Sequence, residues 1–359
     1  MSEIATHSLT GASYEIGRQL GRLGADAVHG YLLTTPAWRE IAARRGDSRL
    51  SAMENLFEEC FPNYAQELRG LADGLGLPFA EVFAWNCRGD LWAMAPDGCT
   101  TVQLPGVDRQ VIAHNEDGLP GFLGAGLMVR VDAAGAKPFV SFAYPGSIPG
   151  HTFALTGAGL VQAVNNVRVI GASVGIPRMV LGRAVLDAPT IDSALALLRE
   201  APRAGGFHMS LGQRGDRRIM SVEFLHGAIS VAEVTRRSVH ANHLIHPALA
   251  ETAQIVTGSS ASRQRRGDAL VEAGAEPLAI LRDQAGAALP ILRRAPDDPD
   301  VENTLATALF SISPADVSCD VFAEGSQQPC LRIDGNLRLS LLASARKAFS
   351  CQHLTQTIQ

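Results

Sequence analysis

Between Cys99 and Val167 the chain breaks into short β-rich runs, CTTVQL, QVIAHNED, LMVRVD, PFVSFAY and GLVQAVNNV, set apart by Gly, Pro and Asp. Runs of this length and spacing predict the strands of a meandering antiparallel sheet. A second set, FHMSLGQ, RIMSVEFLH and AISVAEV, follows residues 177–200, where PRMVLGRAVLDAPTIDSALALLRE carries two helical patterns broken at Pro189. Another helical pair, roughly 260–292, leads to the strand-like TLATALFSIS and CLRIDG. Ahead of these, residues 12–98 read mainly as helix. Ile16, Leu20, Leu23 and Val28 fall at helical spacing, and a second periodic stretch runs from Leu56 through Tyr64, Leu68 and Leu71 until Gly74 and Gly76 stop it. The first sheet is therefore expected to begin at Cys99. Strands, helices, strands, helices and strands predict an α+β layered body, two antiparallel sheets with helices outside them. With no internal repeat and no low-complexity linker, one compact body is expected rather than two independent domains.

Charge and composition narrow the function. Against 31 Lys and Arg stand 36 Asp and Glu, a net charge of −5, with no long basic block. Such a balance gives no electrostatic footprint for a phosphate backbone or an anionic membrane, so neither nucleic acid nor membrane is an expected partner. No apolar run reaches the ~20 residues of a spanning helix, and MSEIATHSLTGASYEIG lacks a basic stretch followed by an apolar one, so a cytoplasmic protein is expected. The six cysteines, Cys60, Cys87, Cys99, Cys319, Cys330 and Cys351, are scattered without a CxxC pair. That argues against a disulfide framework and a cysteine-rich zinc site, and a chemical cysteine would act alone. The Gly-rich GAGLM and GASVG are weak as phosphate cradles, and no cofactor is expected.

Cys99 has the most unusual setting. In Pro96-Asp97-Gly98-Cys99-Thr100-Thr101 a turn-forming Pro-Asp-Gly runs straight into the head of a strand. A thiol there, preceded by a residue with no Cβ, can reach back to the Gly98 carbonyl, and glycine tolerates the strained dihedrals such a turn would need. The plainer alternative is a half-buried structural cysteine.

The run Asp97-Gly98-Cys99-Thr100-Thr101, with Asn115-Glu116-Asp117-Gly118, Ala241-Asn242-His243 and Ser262-Arg263, resembles the acyl-coenzyme A:6-aminopenicillanic acid acyltransferase family. These are N-terminal nucleophile hydrolases, with choloylglycine hydrolases and β-alanyl amine hydrolases among their relatives. The resemblance extends to the helical leader, at Tyr14-Glu15-Ile16-Gly17 and Glu67-Leu68-Arg69-Gly70-Leu71-Ala72. It implies a precursor, a zymogen, that cleaves its own Gly98–Cys99 bond inside a four-layer αββα sandwich. Residues 1–98 would become a small chain and 99–359 the body carrying the nucleophile, together one structural domain. The leader would stay docked, because its apolar helix faces need the rest of the core.

The chemistry can be stated for these residues directly. Attack of the Cys99 thiol on the Gly98 carbonyl gives a thioester by N-to-S acyl shift, which water hydrolyses to free the Cys99 α-amine. A terminal amine of pKa ~7.7 to 8.0 matches a thiol of ~8.5, so nucleophile and base share one residue. Asp117, at the end of QVIAHNED, would orient the ammonium after a hairpin, or simply cap that turn. Asn242 resembles the family's oxyanion-stabilising Asn; otherwise it is a loop residue bonding its own backbone. Arg263 would begin a helix capped by one of the preceding serines and, by resemblance, polarise the nucleophile; a solvated helix face is the alternative, with Arg265 and Arg266 competing for the register. Thr100, Thr101 and Asn115 are taken as supporting residues.

The expected enzyme passes an acyl group from a linear amide, an N-acyl compound or an acyl thioester, through a Cys99 thioester, to water or an amine. Small-molecule donor and acceptor are its partners, with the leader chain. A bile-salt substrate is disfavoured, because His114 and Asn115 stand where choloylglycine hydrolases tend to place an Arg beside the Asp. Two other readings compete. His240, His243 and His246, with His114 or Glu116, would serve a metal-dependent hydrolase, although residues i and i+3 on a strand face opposite ways and Pro247 disfavours a long helix. A non-catalytic relative would keep the sandwich and never cleave. Gly146-Ser147-Ile148-Pro149-Gly150 puts its serine in the wrong place for a nucleophile elbow, and Thr357-Ile358-Gln359 is not a peroxisomal address.

Overall fold

The computed structural model describes residues 4–285, 289–295, 298 and 300–342; Cys351 and residues 357–359 lie outside them. Its strands are β1 (Ala5–Gly11), β2 (Gly98–Leu104), β3 (Gln110–Gly118), β4 (Leu127–Ala133), β5 (Phe139–Ala143), β6 (Phe153–Thr156), β7 (Leu160–Asn166), β8 (Phe207–Gln213), β9 (Ile219–Leu225), β10 (Ala228–Glu233), β11 (Ser238–His240), β12 (Asn303–Ile312), β13 (Val317–Ala323), β14 (Leu331–Ile333) and β15 (Leu339–Leu341). The helices are α1 (Ser13–Gly30), α2 (Pro36–Ala42), α3 (Ser48–Cys60), α4 (Pro62–Leu75), α5 (Phe79–Asn86), α6 (Arg88–Leu91), α7 (Arg178–Val185), α8 (Ile191–Glu200), α9 (Gly258–Glu272) and α10 (Pro277–Leu281). None of the described helices is long and apolar enough to cross a membrane.

Two sheets form the centre. One has eight strands in the order β1-β4-β5-β6-β7-β8-β9-β10, the other seven in the order β11-β2-β3-β12-β13-β14-β15. They face each other through side chains of alternate residues: Phe153 on β6 meets Phe310 on β12 edge to face, and Gln103 on β2 donates to Ser210 on β8 at 2.7 Å. Helices α9 and α10 cover the outer face of the seven-stranded sheet, where Val102, Val111, Ala113 and Val239 pack with Ile280 and Leu281. Helices α1 and α4 lie in a helical layer beside the eight-stranded sheet and cross at glycines: a Cβ on Gly17 would stand 1.8 Å from the Glu67 carbonyl oxygen, and one on Gly70 1.9 Å from that of Tyr14. This is an α+β sandwich of helices, sheet, sheet and helices.

One expectation fails. The first sheet does not begin at Cys99, because β1 precedes it and pairs in parallel with β4, from Ala5 opposite Leu127 to Gly11 opposite Ala133. As an edge strand it buries only Leu9, so it lacks the apolar alternation that marks a strand in sequence. Strands β6, β11, β13 and β15 are likewise not separated in the sequence reading; β6, β11 and β15 span only three or four residues.

Candidate active site

The site is set by the β2–β3 register. Gly98 lies opposite Asp117, Cys99 opposite Glu116, Thr100 opposite Asn115 and Thr101 opposite His114. Directly opposed residues share a face and successive ones alternate. Cys99, Thr101, His114 and Glu116 therefore point into the space between the sheets, while Gly98, Thr100, Asn115 and Asp117 point toward the α9–α10 side.

Cys99 is held at three atoms. Its backbone N–H donates to Asn242 Oδ1 at 3.1 Å, its carbonyl accepts from Arg263 Nη1 at 2.5 Å, and its Sγ lies 3.9 Å from Glu116 Oε2. Burial pushes the thiol well above its usual pKa, and the nearby Glu116 and Asp117 add to the rise. The residue before it is equally constrained. Asp97 takes both forks of Arg88, at 2.9 and 3.0 Å, its N–H donates to Glu302 Oε1 at 3.0 Å, and its carbonyl accepts from Asn166 Nδ2 at 2.8 Å. Gly98 thus sits between two clamped neighbours. It is not among the glycines with positive φ, contrary to the expectation of a strained turn. Glycine is needed there for space: a Cβ would meet Glu302 Oε2 at 2.2 Å.

On the helix side, Arg263 spreads its guanidinium over the catalytic candidates. Besides the Cys99 carbonyl it reaches Thr100 Oγ1 at 2.9 Å, Asn242 Oδ1 at 2.6 Å and, through Nε, Ser259 Oγ at 3.1 Å. The competing arginines are resolved: Arg265 is exposed and Arg266 pairs with Asp283. Helix α9 is capped by Thr257, whose hydroxyl accepts from Ser260 N at 3.1 Å, rather than by a serine. Asn242 spends one Nδ2 hydrogen on the Asn166 carbonyl at 2.9 Å. Asp117 Oδ1 accepts from Thr304 Oγ1 at 2.6 Å, while Oδ2 is buried with no hydrogen-bond partner among the described residues. Burial raises the Asp117 carboxyl to about 6, against the pull of Arg263 and Arg293. Asn115 braces the helix layer, donating to the Leu281 carbonyl at 2.8 Å and accepting from Thr307 at 2.6 Å.

The inner face is a different environment. Tyr144 donates its hydroxyl to Glu116 Oε1 at 2.6 Å, and Glu116 Oε2 meets His114 Nε2 at 3.0 Å. His114 Nδ1 lies 2.8 Å from Thr101 Oγ1, whose hydrogen goes to Asn165 Oδ1 at 2.6 Å. Asn165 donates through Nδ2 to the His240 carbonyl at 3.1 Å, which fixes its Oδ1 as an acceptor. With the threonine hydrogen committed, His114 Nδ1 donates to Thr101, Nε2 is an acceptor, and the bond to Glu116 closes only if Glu116 carries a proton. Electrostatics agrees: burial lifts Glu116 well above the carboxylate range and holds His114 down at about 3. Tyr144, Asn166 and Glu302 line the site without being assigned from sequence, and Glu116 enters there only as a candidate ligand beside the three histidines. Only Glu116 had a usable signal, its alternation with Asp117 on a strand expected to pair with the one that Cys99 begins.

The three histidines do not converge. His240 Nε2 faces Glu223 Oε1 at 2.8 Å, His243 Nδ1 faces Ser260 Oγ at 2.7 Å, and His246 lies between Ser221 and Ser230. Among the described residues, the grouping able to hold a metal ion is Cys99, His114 and Glu116.

The αββα sandwich, with Cys99 near the head of β2, Asn242 and Arg263 bonded to its backbone and Asp117 opposite Gly98, has the N-terminal nucleophile hydrolase fold. The family model "Acyl-coenzyme A:6-aminopenicillanic acid acyl-transferase" matches residues 105–321, and the chain belongs to that family. The match starts beyond Cys99, so it stands independently of the DGCTT run. The chain is also 22% identical, over 352 residues, to the beta-alanyl-dopamine/carcinine hydrolase of Drosophila melanogaster, an alignment covering 86% of this chain and 90% of that protein.

Proposed function

We propose that this protein is a self-processing N-terminal cysteine amidohydrolase or acyltransferase. The observation that carries the reading is the Asp117 carboxylate oxygen, buried and without a partner among the described residues, across the strand pair from the Gly98–Cys99 bond. A buried acceptor left open costs ~1 to 3 kcal/mol, and a new α-ammonium on Cys99 supplies the donor it lacks.

Processing follows from the contacts. Cys99 Sγ adds to the Gly98 carbonyl carbon, the C–N bond breaks, and the thiol proton ends on the departing nitrogen. Water then hydrolyses the thioester, giving a carboxylate on Gly98 and a free thiol on Cys99. Before cleavage Asn242 Oδ1 holds the N–H of the leaving nitrogen, and afterwards the same oxygen and Asp117 orient the amine. In turnover that amine takes the thiol proton, Sγ attacks a substrate amide, and the amine returns a proton to the leaving nitrogen. The second Nδ2 hydrogen of Asn242 is available to the oxyanion, and Arg263 fixes Asn242 and the Cys99 carbonyl. Linear amides are the substrate class, and the name of the insect relative makes β-alanyl amides the first to try.

The test is the denatured intact mass of wild type beside Cys99→Ala. Cleavage before Cys99 divides the 38.0 kDa chain into fragments of about 10 and about 28 kDa. Two fragments from wild type and one chain from the variant are expected. A single full-length mass in both selects the unprocessed relative instead, and two fragments from Cys99→Ala would remove Cys99 from the cleavage.

A further inference from the structure

We propose that Cys99, His114 and Glu116 form a binding site for one borderline-soft divalent cation of the Zn²⁺ type, which captures the nucleophile as a metal thiolate.

The geometry is close to that of a metal site. One ligand atom from each residue lies within 4.8 Å of the others; His114 Nε2 is 3.0 Å from Glu116 Oε2, and Cys99 Sγ is 3.9 Å from the same oxygen. Tetrahedral zinc with ordinary bond lengths separates a nitrogen and an oxygen ligand by about 3.3 Å and a sulfur and an oxygen ligand by about 3.6 Å. Shifts of a few tenths of an ångström in three side chains reach that arrangement, with the backbones fixed by the β2–β3 ladder. Thiolate, imidazole and carboxylate form a donor set suited to zinc rather than to magnesium or calcium, and three protein ligands leave one position for water.

The surroundings that orient such ligands are already in place. Metal-bound histidines present one nitrogen to the metal and donate the other N–H to a fixed acceptor. Here His114 Nδ1 is held by Thr101, which is fixed by Asn165, so Nε2 faces the cluster. Glu116 keeps one oxygen on the Tyr144 hydroxyl and turns the other inward. Charge points the same way. Glu67 is paired with Arg183, Glu302 with Arg168 and Arg293, Asp97 with Arg88, and Glu223 with His240. Glu116 has no arginine or lysine within ion-pair distance among the described residues; its one such neighbour is His114. A divalent ion would exchange with the thiol proton and the carboxyl proton, both leaving to solvent, and the buried centre would remain neutral.

The capture of a nucleophile rests on the functional reading above, whereas binding does not, and the two are tested apart. Full-length protein freed of metal by a chelator is titrated with Co²⁺. A single saturating equivalent is expected, with a near-ultraviolet thiolate-to-cobalt charge-transfer band that Zn²⁺ displaces. That band should vanish in Cys99→Ala and weaken roughly tenfold or more in affinity in Glu116→Gln, with folding of each variant followed by circular dichroism. Zn²⁺ should also protect Cys99 from alkylation by iodoacetamide, read by peptide mass. Absence of saturable binding, a band that persists in Cys99→Ala because the ion sits on another thiol such as exposed Cys60, or unprotected Cys99 would each overturn the site. None of these outcomes bears on the fragment masses, which decide cleavage in the absence of metal.

Discussion

The two faces of the β2–β3 ladder are built on opposite electrostatic principles. On the α9–α10 side and at the strand ends, ionised groups are knitted together: Arg263 spans Cys99, Thr100 and Asn242, and Arg293, Arg168 and Glu302 form a buried lattice around Asp97. One residue along the same strands, the inner face holds a neutral chain of Thr101, His114, protonated Glu116 and Tyr144. The backbone of residues 97–99 lies on the charged side and the Cys99 thiol on the neutral side. On the proposed function, the charged side would position and polarise the bond to be cut, while the Cys99 thiol, which burial holds above its usual pKa, would wait for the amine that cleavage releases. The alternation of a β-strand would then couple activation to processing.

The largest effect should come from the charged side. Arg263→Met removes donors from the Cys99 carbonyl, Thr100 and Asn242 at a fully buried position. Fragment formation should slow by at least ~10²-fold, and stability should fall by on the order of 3 kcal/mol as buried acceptors lose their partners. A time course of intact mass and a denaturant melt measure the two; unchanged processing would return Arg263 to a purely packing role. Asn242→Asp comes next and separates two jobs. Aspartate keeps the oxygen that faces the Cys99 N–H and Arg263 but loses the amide donors. If Asn242 serves the oxyanion, turnover of a β-alanyl amide should fall by ~10²-fold with fragments still forming. Loss of both would make the Asn166 contact structural, and loss of neither would remove the oxyanion role.

How much of this was legible in sequence follows from the same alternation. Gly98, Cys99 and Asp117 were readable because a Pro-Asp-Gly turn ran into a strand and a second strand ended in Asp-Gly, so their approach required only a hairpin. Arg263 and Asn242 were suggested by resemblance, but which of three nearby arginines faces inward depends on how α9 packs on β11, and Gly267 against Val239 sets that contact. The Asn166 and Glu302 clamps were illegible, since β7 and the segment before β12 reach residue 97 only through tertiary packing. Strand β1 was missed because one buried leucine among seven residues leaves no pattern. The zinc reading of the three histidines fails because each finds its own serine or glutamate partner, and the cluster that does form joins residues from two strands whose register no spacing reveals.

A smaller effect is expected from Asp117→Asn, through pH. The buried Asp117 carboxyl titrates at about 6 in the uncut chain. If its ionised form is the one that receives the new ammonium, processing should accelerate as pH rises through about 6 and level off above it. The asparagine variant should lose that rise and process roughly tenfold more slowly near pH 7.5, the value of about one pKa unit of lost ammonium stabilisation. An unaltered pH profile would leave Asp117 as a partner of Thr304 alone.

The smallest effect is the sharpest test of the contrast between the faces. Glutamine is the neutral isostere of a protonated glutamic acid: its amide nitrogen can donate to His114 Nε2 as the acid proton does, and its oxygen can accept from Tyr144. Glu116→Gln should therefore change unfolding free energy by less than about 0.5 kcal/mol. Glu116→Leu, which leaves His114 Nε2 buried without a partner and the Tyr144 hydroxyl with the Asp117 carbonyl alone, at 3.1 Å, should cost about 1 to 3 kcal/mol. Denaturant melts of the two variants at pH 7 distinguish the cases. Were Glu116 ionised and paired with a charged His114, glutamine would strand a buried imidazolium and be nearly as damaging as leucine. Equal losses in the two variants would thus erase the division between a neutral and a charged face, and with it the account of why the thiol waits for cleavage to obtain its base.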